Sequence, residues 1–231
     1  MIFQKRVSEP SQEMEGIKEA RNYLLSHKRD KKKTNPYDYF SQIISKEIKL
    51  KKANVLDVGC GYGGLINSLK KYKPQFNFSG IDLSKAMITL AKNYVKEANF
   101  YLMPADKMSF KDNSFDLIIC KDTFHHFSNP LKVINEMLRV LKEGGKIFIT
   151  DLNRNVSEEV FYSVLQQLSK NNLVNATQYY DSVKASYTIN EIKSLLKKLK
   201  IRKYKICPST KLNGFNLDNY INGHWTLIIS K

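Results

Sequence analysis

Cysteine is scarce in this chain, and long apolar runs are absent. The three cysteines, Cys60, Cys120 and Cys207, are too few and too scattered for a disulfide framework, and they lack the C-x-x-C pairs of a structural zinc site. No apolar run reaches the roughly 18 residues that a transmembrane helix needs. The start, MIFQKRVSEPSQEMEG, has no apolar core of the kind found in secretory signals. These absences predict a protein of the reducing cytoplasm, with no membrane span and no metal site.

Arginine and acidic residues are few beside lysine. The formal net charge is +16, yet the 231 residues include only six arginines. A basic chain suggests a polyanionic partner such as RNA, but arginine is the preferred residue for bidentate contacts to phosphates and bases. The dense run HKRDKKK at 27–33 is typical of a solvated helix end. Nucleic acid is therefore the weaker alternative to a small-molecule partner.

From residue 53 onward, short apolar segments alternate with amphipathic ones. The predicted strands are ANVLDVG, FNFSGID, NFYLM, SFDLIIC and KIFITDL, and most are followed by a helical pattern such as SKAMITLAKNYVK or PLKVINEMLRVLK. This alternation predicts an α/β fold with a doubly wound, mostly parallel sheet. The two final strands, RKYKICP and HWTLIIS, have no crossover helix between them, so we expect them to pair antiparallel. The whole sheet is predicted to have seven strands, with the last one antiparallel.

We predict a single domain over residues 1–231, and no internal repeat divides it. Helical patterns at 11–28 and after Pro36 precede the first strand, and a capping box at Thr188 and Glu191 opens a late helix. Four segments follow from these patterns: a helical N-terminal lid at 1–50, a cofactor-binding core at 51–151, a helical substrate lid inserted after the fifth strand at 152–187, and a C-terminal helix with the antiparallel strand pair at 188–231.

A glycine-rich turn follows the first strand in the stretch VLDVGCGYGG. Gly59, Gly61 and Gly64 fit G-x-G-x-x-G, a spacing associated with dinucleotide binding. In such sites the turn meets a pyrophosphate, which Asp57 would repel. A cationic ligand fits better, and S-adenosylmethionine carries a sulfonium and an ammonium beside an adenosine that needs close backbone approach. The turn therefore predicts S-adenosylmethionine rather than a nicotinamide cofactor.

Two further acids follow the next strands. Asp82 ends the second strand, where an acid can accept hydrogen bonds from both ribose hydroxyls. Asp106 follows the third strand in MPADKMSF, and we expect it to reach the adenine amino group. NAD would use Asp82 as well, so that residue alone does not separate the two cofactors.

Five motifs in this order resemble those of the class I, Rossmann-like S-adenosylmethionine-dependent methyltransferases of the small-molecule type. VLDVGCGYGG is similar to the first motif, GIDLS to the second, MPADKMSF to the adenine-side motif, FDLIICKDTFHHFSNP to the fourth-strand motif and LRVLKEGGKIFITDL to the fifth. The resemblance covers roughly residues 50–231. It implies a methyltransferase that converts S-adenosylmethionine to S-adenosylhomocysteine, on a seven-stranded sheet with an antiparallel last strand.

The resemblance also implies which residues contact the cofactor. Asp57, Gly59, Cys60 and Gly61 would line its methionine side, and Lys121 would lie beneath the methionine moiety. The ribose and adenine contacts that it implies are Asp82, Leu83, Ala105 and Asp106. An N-terminal aromatic residue closes over the cofactor in many relatives, and the candidates here are Tyr37, Tyr39 and Phe40, among which we take Tyr39.

Methyl transfer from a sulfonium is an in-line displacement, so alignment and a dry pocket matter more than a strong base. The candidate catalytic residues follow the fourth strand, where relatives face the transferred methyl: Asp122, His125 and His126. Positioning roles are an open alternative for both histidines. Arg154, beyond the fifth strand, and Tyr180, in the helical insertion, are the candidate substrate-binding residues.

Three other functions remain open at this point. The charge of +16 keeps a tRNA or rRNA methyltransferase as an alternative, although no N-P-P-Y motif follows the fourth strand. A binding protein that keeps the S-adenosylmethionine pocket without turnover is a second alternative, and a nicotinamide enzyme is the weakest.

Overall fold

The computed structural model describes residues 2–8, 16, 36–171, 173–209 and 223–231. Most of the predicted helix at 11–28 and residues 210–222 of the last connection, with Phe215 and Tyr220, lie outside the described residues. Within the described ranges the helices are α1 (Pro36–Glu47), α2 (Gly64–Tyr72), α3 (Lys85–Tyr94), α4 (Pro130–Val140), α5 (Glu158–Asn171), α6 (Leu173–Ala185) and α7 (Ile189–Lys198). A short 3₁₀ turn spans Phe124–His126.

The strands are β1 (Asn54–Val58), β2 (Asn77–Asp82), β3 (Asn99–Leu102), β4 (Phe115–Lys121), β5 (Leu141–Leu152), β6 (Tyr204–Pro208) and β7 (His224–Ser230). They form one seven-stranded sheet in the order β3-β2-β1-β4-β5-β7-β6. β1 pairs parallel with β2 and β4, β2 pairs parallel with β3, and β6 pairs antiparallel with β7. The predicted α/β fold, with its seven-stranded, mostly parallel sheet and antiparallel last strands, is confirmed.

Local signals place most helix starts. The Ser84 hydroxyl accepts a hydrogen bond from Met87 N at 3.2 Å and caps α3. At α7 the predicted capping box is confirmed, because Thr188 Oγ1 accepts from Glu191 N and the Glu191 carboxylate accepts from Thr188 N. Both helices therefore begin where the sequence predicts.

One boundary differs from the prediction. The helix pattern PLKVINEMLRVLK suggests a helix through Lys142, but α4 ends at Val140 and β5 begins at Leu141. The Lys231 ammonium donates to the Leu138 and Leu141 carbonyls, and the Lys231 backbone pairs with Gly144 and Gly145. These bonds accompany the change from helix to strand, and they join residues 90 or more positions apart, which no local pattern indicates.

The chain divides into two compact units. The glycine-turn unit comprises Gln12–Lys121, Lys132–Phe148 and Ser230–Lys231. The histidine unit comprises Met1–Ser11, Asp122–Leu131 and Ile149–Ile229. The four functional segments predicted from the sequence stay a prediction.

Each unit has its own apolar cluster. In the glycine-turn unit, Tyr62 and three residues of α3 form a buried cluster. In the histidine unit, Phe161 and Tyr179 stack at 5.7 Å among buried aliphatic side chains. Phe3 packs against this second cluster, so part of the N-terminal segment belongs to the histidine unit.

Candidate active site

The glycine turn joins β1 to α2 in a conformation that requires glycine. Gly59, Gly61 and Gly63 have φ angles of 73°, 51° and 82°, in the left-handed region that side chains disfavour. Gly59 N donates to the Ile81 carbonyl, and Gly61 N donates to Asp82 Oδ2, both at 2.9 Å. These bonds fasten the turn to the end of β2. A Cβ built at Gly61 would have no atom within 4 Å, so this backbone borders open space.

Two further glycines allow close packing around the turn. A Cβ at Gly64 would lie 2.8 Å from the ring of Tyr37, and one at Gly80 would lie 2.8 Å from Cys60 Sγ. Cys60 is buried in that space. Burial, followed by the charges of Asp57 and Asp82, raises the pKa of the Cys60 thiol well above its usual value. Cys60 therefore packs as an uncharged side chain and is unsuited to act as a nucleophile.

Asp57 is buried in β1, close enough to Asp82 for the two charges to oppose each other. Burial is the larger cause, Asp82 adds to it, and together they raise the pKa of Asp57 to about 8, although Lys121 acts in the opposite direction. A carboxyl group in this environment gains its charge most readily when a cation comes close. The glycine turn thus borders an acidic centre that a cationic ligand would balance.

Asp82 is held in a fixed orientation at the end of β2. Oδ2 accepts from Gly61 N and Oδ1 accepts from Ser84 N, each at 2.9 Å. A carboxylate oxygen has two lone pairs and can accept more than one hydrogen bond. The arrangement suits recognition of neighbouring hydroxyl groups.

Apolar side chains are exposed next to Asp82. Leu83 is 63% exposed, and Leu102, which pairs in register with Asp82 across β2 and β3, is 56% exposed. Ala105 is half-buried and Asp106 is exposed in the loop that follows β3. Two exposed leucines beside a fixed carboxylate suit a flat apolar ring attached to a diol. The sequence analysis missed Leu102, although its place as the last residue of β3 was a usable signal.

Lys121 ends β4 and meets two aromatic rings of α1. Its ammonium lies 5.2 Å from the ring centre of Tyr37 and 5.1 Å from that of Phe40, within reach of a cation–π interaction. Tyr39 is buried in the core and makes an edge contact with Phe40. Tyr37, which is half-buried against the glycine turn, is therefore a better candidate for the aromatic lid than the buried Tyr39, whose cofactor contact stays a prediction.

His125, in the 3₁₀ turn of the histidine unit, is tied to the end of β5. Its Nδ1 lies 2.7 Å from Asp151 Oδ1, and its backbone N donates to Asp151 Oδ2 at 2.8 Å. Asp151 Oδ1 also accepts from Leu152 N. Both His125 and Asp151 are buried, whereas His126 is exposed. The adjacent histidines thus have different environments, and the carboxylate fixes only the first.

Asp122 forms a second histidine–carboxylate pair. It directly follows β4 and has a φ of 51°, which is uncommon for a residue other than glycine and is often found at functional sites. Its Oδ1 lies 3.0 Å from Nε2 of His224, the first residue of β7. The His224 side chain is fully buried, whereas that of Asp122 is 23% exposed. Asp122 can therefore meet a ligand while His224 holds it from behind.

Arg154 has structural partners, whereas Tyr180 keeps an exposed ring. Arg154 is 3% exposed, and its guanidinium donates to the Ser186 carbonyl and to the Glu191 carboxylate. This pairing ties the residues after β5 to the start of α7, which favours a structural role for Arg154. The ring of Tyr180 packs edge-on against Phe3, with centroids 5.1 Å apart, but the residue is 40% exposed, so its contact with a substrate stays a prediction.

Arg6 is a contact that the sequence analysis missed. Its guanidinium donates to the His125 carbonyl at 2.8 Å and to the Ala185 carbonyl at 2.6 Å, and it lies 4.4 Å above the ring of Tyr187. The N-terminal segment therefore holds the turn that carries His125. No local signal identifies Arg6, because it is 119 positions away from His125.

The described ranges contain neither a metal-binding cluster nor a helix that could span a membrane. No group of three His, Cys, Asp or Glu side chains lies close enough to hold a metal ion. None of the helices there is both long and apolar enough to cross a membrane.

The fold and the site together define an α/β protein with a glycine turn, an acidic centre and a carboxylate held at the end of β2. Residues 49–203, more than half of the chain, match the family described as "Methyltransferase domain". The chain belongs to this methyltransferase family.

Curated relatives carry related names. The chain is 30% identical over 141 residues to a ubiquinone biosynthesis O-methyltransferase of Coxiella burnetii, covering 59% of each protein. It is 31% identical over 111 residues to the demethylmenaquinone methyltransferase of Thermotoga maritima, covering 48% of each. The chain thus matches about half to three fifths of the length of these relatives.

Solved structures share the fold over more of the chain. The plantazolicin methyltransferase BpumL, in complex with a pentazolic desmethylPZN analog and SAH, is 24% identical, with a TM-score of 0.69 over 93% of this chain and 91% of that one. A SAM-dependent methyltransferase from Aquifex aeolicus is 22% identical, with a TM-score of 0.58 over 82% and 88%. At these identities the likeness shows the fold.

Proposed function

We propose that the protein is an S-adenosylmethionine-dependent methyltransferase that acts on a small-molecule acceptor. The observation that carries this proposal is the buried Asp57 carboxyl beside Asp82 at the glycine turn. A dinucleotide pyrophosphate would add negative charge to this centre, whereas an ammonium or sulfonium would offset it. The residues present therefore fit a cationic cofactor.

Each part of the cofactor has a matching group in the glycine-turn unit. Asp82, whose carboxylate is oriented by Gly61 N and Ser84 N, would accept from the ribose hydroxyls. Leu83 and Leu102 would pack on the adenine, and Asp106 with Ala105 would meet its edge. The residues that would surround the methionine moiety are Asp57, Gly59, Cys60, Gly61, Lys121 and Tyr37.

When bound, S-adenosylmethionine supplies a methyl group on a positively charged sulfur, which is already activated for displacement. The chain's own contribution is orientation, exclusion of water and, for an acceptor that keeps its proton, a base. Asp122 suits that last role, because its carboxylate is partly exposed and Nε2 of His224 holds it at 3.0 Å. His125, buried on Asp151, suits a positioning role, and the exposed His126 suits contact with the acceptor.

The names of the relatives support a small-molecule acceptor. Two curated relatives are named for ubiquinone and demethylmenaquinone methylation, and BpumL is named for plantazolicin. A cytoplasmic location stays a prediction, which the three free cysteines support.

Calorimetric titration of the purified, cofactor-free protein tests the pocket. S-adenosylmethionine and S-adenosylhomocysteine should bind, NAD should not, and Asp82→Ala should weaken both sulfur ligands roughly ten- to hundredfold because charge-assisted hydrogen bonds are lost. Asp112→Ala is the matched control, since Asp112 is an exposed acid paired with Arg139. Binding of NAD, or unchanged affinity in Asp82→Ala, would overturn the proposal.

A second assay separates an enzyme from a binding protein without turnover. The protein is incubated with S-adenosylmethionine and a panel of small hydroxyl- and amine-bearing acceptors, and S-adenosylhomocysteine is measured. Acceptor-dependent product that Asp122→Asn reduces, while cofactor affinity is kept, supports the role of Asp122. Product formation that Asp122→Asn leaves unchanged contradicts that role.

A further inference from the structure

A segment of the histidine unit carries an unusually high density of positive charge. Seven of the thirteen residues at 193–205 are lysine or arginine, and none is acidic. All seven side chains are exposed: Lys193, Lys197, Lys198, Lys200, Arg202, Lys203 and Lys205. The next acid along the chain after Glu191 is Asp218. The charge here is thus concentrated rather than shared evenly over the lysine-rich surface.

The segment encloses a cleft where α7 ends and β6 begins. The cleft has a volume of about 590 Å³ and is lined by Lys193, Lys197, Lys200 and Arg202, with Ile201 and Tyr204 among the uncharged lining residues. Lys200 has a φ of 56°, so the chain turns sharply between the helix and the strand. Tyr204 is 37% exposed. The cations therefore surround a concave surface that also presents an aromatic ring.

Local structure accounts for only part of this charge. Lys197 and Lys198 lie in the last turn of α7, where cations offset the negative end of the helix dipole. Lys193 and Arg202 lie outside that turn. Among the residues that the structure describes, no ion pair joins any of the seven cations to a carboxylate. Water and dissolved ions screen these exposed charges in the free protein, and a polyanion would displace those ions on binding.

We propose that this basic cleft, residues 193–205, binds single-stranded RNA. Exposed lysines hold a small anion weakly, since water and salt screen each contact, but a polyanion that releases many counterions can bind through several of them at once. A concave surface with an exposed tyrosine suits a strand whose bases stack on aromatic rings, better than it suits a flat bilayer. The phosphates would lie along the lysines and a base would stack on Tyr204. This inference goes beyond the proposed methyl transfer and does not depend on it.

The test uses a fluorescein-labelled 20-nucleotide oligouridine and fluorescence anisotropy over a range of salt concentrations. The variant Lys197→Gln/Lys200→Gln/Arg202→Gln should bind at least roughly tenfold more weakly, and its salt slope should fall by about 2, since each lost phosphate contact on a single strand removes about 0.7. The matched control is Lys51→Gln/Lys52→Gln/Lys71→Gln, which removes the same charge from exposed lysines of the glycine-turn unit. This control variant should bind RNA with an affinity within a few-fold of the wild type and with nearly the same salt slope.

Substitution of Tyr204 tests base stacking separately from the contribution of charge to RNA binding. Tyr204→Ala should weaken binding roughly tenfold with an unchanged salt slope, and Tyr204→Phe should restore it, because stacking needs the ring and not the hydroxyl. Circular dichroism checks that each variant folds. Equal losses in the two triple variants would overturn the proposal, since they would indicate non-specific attraction by the net charge. The proposal would also be overturned if the wild type bound vesicles of anionic phosphatidylglycerol and the cleft variant lost that binding while its RNA binding was unchanged.

Discussion

The two units of the molecule treat buried charge in opposite ways. In the glycine-turn unit, Asp57 and Asp82 lie close enough to repel each other, and burial adds to the cost. In the histidine unit, the main carboxylates each have a partner that can be cationic: Asp151 has His125, Asp122 has His224 and Glu191 has Arg154. A cationic ligand would offset the first arrangement, whereas the carboxylates of the second already have partners within the chain. The proposed function thus relies on the first unit for recognition of a charged ligand and on the second for positioning.

Among the changes considered, removal of the Asp151 carboxylate should lower the stability of the histidine unit the most. Asp151→Ala leaves the buried His125 ring and two backbone N–H groups without their acceptor, so we expect the free energy of unfolding to fall by about 3–5 kcal/mol. Trp225 is the only tryptophan and is buried in the histidine unit, so its fluorescence during urea denaturation reports on that unit, while far-ultraviolet circular dichroism reports on both units.

The control is Asp112→Ala, because Asp112 forms an exposed ion pair with Arg139. Exposed pairs contribute about 0–1 kcal/mol, so this variant should unfold almost like the wild type. A loss of similar size in both variants would mean that the Asp151 network is no more important than a surface pair.

The fold and the candidate cofactor residues could be predicted because they follow from short, contiguous sequence patterns. Asp57, the glycines and Asp82 lie on two adjacent strand–turn segments, and strand ends followed by turn residues can be located from the sequence. The fold follows from the same alternation of strands and helices. The candidate cofactor residues could therefore be named with their place in the sheet, although their contacts with a cofactor stay predictions.

The histidine unit depends on contacts that no local pattern encodes. His224 meets Asp122 across 102 positions, and Arg6 meets His125 across 119. The choice between Tyr37 and Tyr39 could not be made from the sequence for a related reason: residues two apart lie on different sides of a helix, and only tertiary packing decides which side faces the turn. The same holds for Arg154, whose position after a strand suggests a ligand contact, whereas its bond to Glu191 depends on a residue 37 positions away.

In the glycine-turn unit, the buried Asp57 should make the free energy of unfolding depend on pH. The pKa of Asp57 is raised from 3.8 to about 8, so the folded protein binds a proton that the unfolded chain releases above pH 4. Between these two pKa values the folded state binds more protons than the unfolded state, so raising the pH favours unfolding. The contribution of Asp57 to the free energy of unfolding should therefore decline from about pH 4 to pH 8 and then level off. In Asp57→Asn this decline should be absent, as measured by urea denaturation followed by far-ultraviolet circular dichroism.

The same proton connects Asp57 to the proposed cofactor. A cation beside Asp57 lowers its pKa, so binding of S-adenosylmethionine near pH 7 should release a proton and strengthen as pH rises toward 8. Calorimetry in buffers with different ionisation enthalpies counts that proton. Asp57→Asn should bind without the buffer dependence. A wild-type protein whose binding heat is the same in every buffer would contradict the assigned environment of Asp57.

The smallest expected effects come from one helix cap in each unit. Ser84→Ala removes the hydroxyl that accepts from Met87 N, and Thr188→Ala removes the one that accepts from Glu191 N, so each should cost about 1 kcal/mol of unfolding free energy. Thr188 should cost more, because its hydroxyl also lies 3.1 Å from the Glu191 carboxylate that holds Arg154. Thr188→Ser keeps the hydroxyl and serves as the control for the Thr188 change, and all variants are measured by urea denaturation. If Ser84→Ala proved the more costly change, the cap would be independent of the charge network, and the histidine unit would be less strongly coupled than its geometry indicates.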